Sequence, residues 1–344
     1  MNTVARNPKQ REVRTPVFHP RFSAFGVLSF VLICVHLWFL PAVSHTQEEE
    51  VVANLATGRV VICVTRDGIV VATLENRSEP DARAPVAVEL SGYRLGVLLG
   101  AAEWLQPGTG QPPVRLEREL SRLFNQVSAG KPRAGEEASD IKGLGLALLD
   151  VLRPLAARLH RKIELPEDEP LLELLLLGYV PDYGPEVWRL QYRIEQQPLR
   201  GEYWRTRVLQ PRYVQLYPPE NGQPRTLIEV RYPPDDPEPA LLELLQKNDP
   251  RLARLRVADP PMMRASEKLA RGESHKAALD DATQFLRAAL GALVVDQKAL
   301  ALGVISQERG FQWLLAPVEP AVKAEEDKQR EPSAPSLRRK PPQP

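Results

Sequence analysis

Residues 59–73 read RVVICVTRDGIVVAT, two apolar, β-branched runs broken only at Arg66-Asp67-Gly68. This pattern predicts a tight β-hairpin, with Gly68 free to take positive φ. The polar, turn-rich stretch 75–84 follows as a surface loop, and then 86–90 and 95–100 form a second predicted strand pair around Ser91-Gly92-Tyr93-Arg94. Four strands therefore precede any helix. Leu116, Leu120, Leu123 and Phe124 recur at helical spacing in 114–127, as do the leucines of 141–160, where Pro154 is expected to kink the helix.

The period then returns to two. Residues 171–178 (LLELLLLG) suit a strand buried on both faces. Across the turn residues Pro181-Asp182-Tyr183-Gly184, 186–195 alternate Val187, Arg189, Gln191 and Arg193 with Trp188, Leu190, Tyr192 and Ile194. Further strands are expected at 203–209, 213–217 and 227–232. A short helix is expected over 240–247 and an irregular, mobile stretch over 248–261. Residues 276–293 form an amphipathic helix with Ser274 as its cap. A last strand pair is expected at 300–306 and 311–315. Runs of β, then αα, then β, then α and β predict an α+β domain with helices packed on sheets.

The flanks differ from this centre. A basic leader, 1–24, carrying Arg6, Lys9, Arg11, Arg14 and Arg21, precedes an apolar run over 25–43, and Glu48-Glu49-Glu50 follow it. The run approaches the ~20 residues that cross a bilayer, and the charge asymmetry puts the C-terminal side outside the cytoplasm. Pro41-Ala42-Val43-Ser44 also offers a cleavage site, so a signal anchor and a cleaved signal peptide both stay open, giving a membrane-anchored or an exported domain. Residues 44–56 read as a linker and 317–344 as a disordered tail of Lys, Glu, Pro, Ser and Gln.

Composition narrows the function classes. With 45 Lys+Arg against 44 Asp+Glu, the formal net charge of +1 gives no electrostatic case for nucleic acid. Only Cys34 and Cys63 are present, which excludes a disulfide framework and argues against a zinc site; no cofactor is expected. Cys63 in a strand reads as a small buried hydrophobe. His160 and His275, at helix ends, have no serine or cysteine signature beside them. Asp280-Asp281 reads as a solvated pair at a helix start.

Several segments resemble the proteasome-type N-terminal nucleophile hydrolases. Asp67-Gly68-Ile69-Val70-Val71-Ala72 is similar to that family's first hairpin, 86–100 to its second strand pair, LLLLGYVPDYGP at 174–185 to its apolar strand and following turns, and 276–302 to its late helix and strand. The resemblance covers 57–316, with a proline-rich insertion at about 210–262, and implies a four-layer αββα sandwich.

In that family an N-terminal threonine, freed by self-cleavage, attacks a carbonyl and a lysine lowers its pKa. Here the nucleophile register falls on Gly58, with Thr57 one residue away. Ala84-Pro85 stand where the lysine is expected, and the nearest cation, Arg83, cannot accept a proton. Glu75 and Arg77 are displaced candidates for the acidic residue at the end of the first hairpin and its following arginine, and the glycine-rich turn that supplies oxyanion donors is missing. The resemblance therefore implies a catalytically degenerate member acting as an assembly or interaction module, with self-association or related subunits as partners. Two alternatives remain. One is an active threonine peptidase or amidase processed at Thr57, and the other an envelope binding protein of unrelated α+β fold.

Overall fold

The computed structural model describes residues 50–75, 84–127, 137–165, 168–180, 183–222, 224–234, 238–258, 260–293 and 300–317. The leader, the apolar run 25–43, the tail 318–344, Arg77 and Arg83 lie outside the described residues. Among the described residues no helix is long and apolar enough to cross a membrane.

The chain is mixed α+β with antiparallel sheets. The first sheet runs β1 (Val52–Ala56), β5 (Arg94–Leu105), β7 (Leu172–Val180), β8 (Gly184–Tyr192), β11 (Arg212–Tyr217), and both β4 (Val86–Ser91) and β6 (Val114–Arg115) also pair with β5. The second runs β12 (Leu227–Tyr232), β2 (Gly58–Val64), β3 (Gly68–Glu75), β13 (Leu300–Ser306), β14 (Gly310–Leu315). A separate ribbon pairs β9 (Ile194–Pro198) with β10 (Trp204–Val208). The predicted first hairpin is thus β2–β3, and it shares a sheet with the predicted last pair: β3 lies between β2 and β13.

Alternation along the strands sorts the side chains. Val60, Ile62 and Val64 of β2 join Leu95, Val97 and Leu99 of β5 and Leu175 and Leu177 of β7 in one apolar cluster drawn from both sheets. The other face of the second sheet, with Val61, Cys63, Val70 and Ala72, packs on α3 (Leu241–Gln246), α4 (Pro250–Ala258), α5 (Pro260–Ala270) and α6 (Leu279–Leu293). The other face of the first sheet packs Leu98, Leu174, Leu176 and Leu190 on α1 (Leu116–Val127) and α2 (Glu137–Ala157). Strands buried on both faces need apolar residues at every position, hence the unbroken runs at 60–64 and 174–177; each full burial is worth ~1.5–3 kcal/mol.

Four expectations are corrected. Residues 52–56, read as linker, form β1, pairing antiparallel with β5 from Val52 opposite Leu105 to Ala56 opposite Gly100. The stretch 248–261, read as irregular, holds α4 and the start of α5. Asp249 caps α4, its Oδ1 accepting from Arg251 N at 2.8 Å with Pro250 in the first helical position. Ser274 does not cap α6: it lies in a short 3-10 helix, Ser274–Lys276, and donates to Val64 O at 2.8 Å, so the helix begins at Leu279. Gly68 is not at positive φ. A Cβ there would lie 2.2 Å from Ile305 O, so glycine is required by the close approach of β13 and not by the turn.

Candidate functional site

The chain crosses from the first sheet to the second at Thr57. Ala56 still pairs with Gly100 of β5, whereas Gly58 already pairs with Glu75 of β3 and Tyr232 of β12. Thr57 is therefore the single residue between β1 and β2. It is 1% exposed, and its Oγ1 has no hydrogen-bond partner.

Gly58, in the nucleophile register, has no room for a side chain. Its φ is 141°, and a Cβ would stand 2.0 Å from Leu74 O and 3.0 Å from Pro85 Cδ. A hydroxyl-bearing residue there would clash with backbone, which cannot give way as a side-chain tip can. Pro85 packs against this glycine at the position where the family resemblance asks for a lysine.

Glu75 ends β3 directly opposite Gly58, half-buried. The structure thus brings Thr57 and Glu75, the two candidate residues, to the same end of the β2–β3 hairpin. Tyr232 joins them from β12. Its ring covers Gly100, where a Cβ would lie 3.0 Å from Cζ, and its hydroxyl donates to Leu171 O at 3.4 Å. Burial, and then the Glu169 and Glu173 carboxylates, hold the phenol well above its ordinary range, so it stays protonated and keeps its O–H donor at physiological pH.

The strongest polar group at this end was hidden in the sequence. Glu173 is the one charge in LLELLLLG; it is 1% exposed and shares its face of β7 with Leu175 and Leu177. Its Oε1 accepts from Arg189 Nε at 3.1 Å, from Arg189 Nη2, and from Gln191 Nε2 at 2.9 Å. Its Oε2 has no partner. A lone carboxylate within an all-apolar strand was the available signal, since burying it demands a cation nearby, and alternation on β8 supplies Arg189 and Gln191.

Chemically, this end gathers two carboxylates, Glu75 and Glu173, the Tyr232 phenol and the Thr57 hydroxyl, with Oε1 of Glu173 taken up by Arg189 and Gln191. Elsewhere, Cys63 is buried on β2 and its thiol is pushed up to about 12 by burial, opposed by a weaker hydrogen bond with Ser274. A thiol so placed is not a nucleophile near neutral pH. His160 packs edge-on to Tyr203 at 6.2 Å, and Asp280 and Asp281 lie in the first turn of α6. Among the described residues no group of His, Cys, Asp and Glu is arranged to hold a metal ion. No protein-family model matches the chain, and no curated protein matches its sequence.

Proposed function

We propose that this chain is a proteasome-subunit-like protein with an αββα layer order, anchored in or exported across a membrane by residues 25–43, and that it serves as a catalytically inactive assembly or interaction module. The layer order is supported by the three apolar clusters, with one between the sheets and one under each helical set. Support for the hairpin as the founding element comes from its place in the second sheet beside the late strand pair.

The observation that carries the inactive reading is Gly58. In register with the nucleophile, it has backbone at 2.0 Å from any Cβ and Pro85 packed against it. Thr57, one residue earlier, is buried within an unbroken passage from β1 to β2. A one-residue shift of a strand exchanges the faces of all its side chains, so Thr57 cannot take over the register without moving the whole of β2.

Intact-mass measurement and N-terminal sequencing of the purified chain test this. A chain starting at Met1, or at His45 after signal cleavage, is expected. A mature N-terminus at Thr57 that is lost in Thr57→Ala would overturn the inactive reading in favour of a threonine peptidase or amidase.

A further inference from the structure

We propose that the β9–β10 ribbon, with the loop beside it, is a docking surface for an anionic lipid bilayer; the inference rests on the reading of residues 25–43 as a membrane anchor. The ribbon belongs to neither sheet. Its inner face is fixed by Thr206 and Val208, both buried, with Thr206 Oγ1 donating to Leu159 O at 3.0 Å. Its other face turns Arg205 and Arg207 to solvent, and its tip exposes Leu199 (52%) and Tyr203 (62%).

Large apolar and aromatic side chains at an exposed hairpin tip, rimmed by cations, are the chemistry of a membrane interface. Tyrosine and tryptophan rings sit at headgroup level, while Lys and Arg keep their stems in the apolar zone and their charges among phosphates. Trp204, at the start of β10, carries Lys162 Nζ 5.8 Å from its ring centre. Within the ribbon and its tip, exposed Arg200, Arg205 and Arg207 stand against Glu195 and Glu202, and in the loop beside it Lys162 stands against Glu164. Basic side chains close to an anionic surface are drawn to it.

The position of the chain's arrival points to the same face. Glu50 pairs with Arg161 at 2.6 Å, Val51 N donates to Arg158 O at 3.0 Å, and Trp204 N donates to His160 O at 2.7 Å. The segment coming from residues 25–43 thus joins the domain against the loop that supports β10. From residue 43 to residue 50 an extended chain reaches roughly 25 Å. A bilayer holding 25–43 is therefore no further than that from Glu50. Another exposed tyrosine, Tyr183 just before β8, lies at the far end of that nine-residue strand, roughly 30 Å away.

The test uses the full chain with Cys34→Ser, in which a single introduced cysteine takes a fluorophore because Cys63 is buried and unreactive. Labels at Leu199→Cys and Tyr183→Cys are compared in phosphatidylcholine vesicles with and without phosphatidylglycerol, with a nitroxide-bearing lipid as quencher. The expected result is co-flotation of both proteins and severalfold stronger quenching at position 199 than at 183, enhanced by phosphatidylglycerol and reduced by Arg200→Glu with Arg205→Glu. Co-flotation with equal quenching at the two positions would overturn the docking surface while leaving the anchor standing. Quenching at 199 indifferent to phosphatidylglycerol and to the two glutamate substitutions would overturn the anionic selectivity. Failure of the chain to float with vesicles would overturn the anchor and the docking together.

Discussion

Two buried glutamates on neighbouring strands of the first sheet keep different partners. Glu186 of β8 has Arg94 Nη2 2.6 Å from its Oε1, an ion pair in which neither atom makes a hydrogen bond, and its Oε2 accepts from Trp188 Nε1 at 3.2 Å. Glu173 of β7 concentrates Arg189 and Gln191 on Oε1 and leaves Oε2 without a partner. The first lies toward the turns that link β4 to β5 and β7 to β8, with both side chains of the ion pair buried. The second lies where the chain crosses between sheets, near Tyr232 and the end of the hairpin that holds Thr57 and Glu75, and its guanidinium partner is partly solvated.

The largest effect is expected from breaking the buried Arg94–Glu186 ion pair. In Arg94→Met the Glu186 carboxylate stays buried with only an indole donor, and chemical denaturation should show a loss of about 3–5 kcal/mol. Gly58→Thr, which writes a hydroxyl into the nucleophile register, should cost about 3 kcal/mol or more through the clash with Leu74 O and yield no self-cleavage. A stable, self-cleaving Gly58→Thr protein would contradict the geometry of this end. Arg189→Met should cost less than Arg94→Met, about 1–3 kcal/mol, because Gln191 still donates to Glu173 and Arg189 is itself partly solvated. Equal losses for the two arginine variants would erase the distinction between the carboxylates.

β2, β3 and β7 were legible as short unbroken apolar runs, the pattern of strands buried on both faces, and β8 by its two-fold alternation. What the sequence hid were features set by contacts distant along the chain. β1 has only five residues and finds its partner in β5, about fifty residues later, so its local pattern could not distinguish it from a linker. Gly68 looked like a turn glycine, but its requirement comes from Ile305 across the ladder. The α4 start was readable: Asp249-Pro250 is a cap followed by a first-position proline, and the density of prolines around it masked the signal. At the site, Thr57 and Glu75 were candidates through the family resemblance, counted from the first hairpin. Arg189, Gln191 and Tyr232 were not, because only the pairing of β7 with β8 and of β12 with β2 brings them to the crossing.

Cys63, the next-to-last residue of β2, adds a buried group at the hairpin-turn end of the strand. Its thiol is held at about 12 in the folded chain against about 9 in the unfolded one. Above pH 9 the unfolded state loses a proton that the folded state keeps, so stability falls as pH rises. It falls by up to ~1.4 kcal/mol per unit from this group alone. The stability of the wild type relative to Cys63→Ala should decline from pH 9 to pH 10 and be constant from pH 6 to pH 8. A constant difference throughout would show that the thiol is reached by solvent.

The smallest effect is expected at Thr57, and its sign matters more than its size. Valine has nearly the shape of threonine and replaces the hydroxyl by a methyl group. Since Oγ1 is buried without a partner, Thr57→Val removes a desolvated polar atom and loses no hydrogen bond. Stability should be unchanged or rise by up to about 1 kcal/mol, with the same intact mass as the parent chain apart from the substitution. A hydroxyl kept for structure would instead show a loss of 1 kcal/mol or more in Thr57→Val, recovered in Thr57→Ser. One kept for self-cleavage would change the N-terminus of the purified chain. Neutrality in both measurements would mark Thr57 as a residue tolerated at the crossing between sheets and needed for neither role.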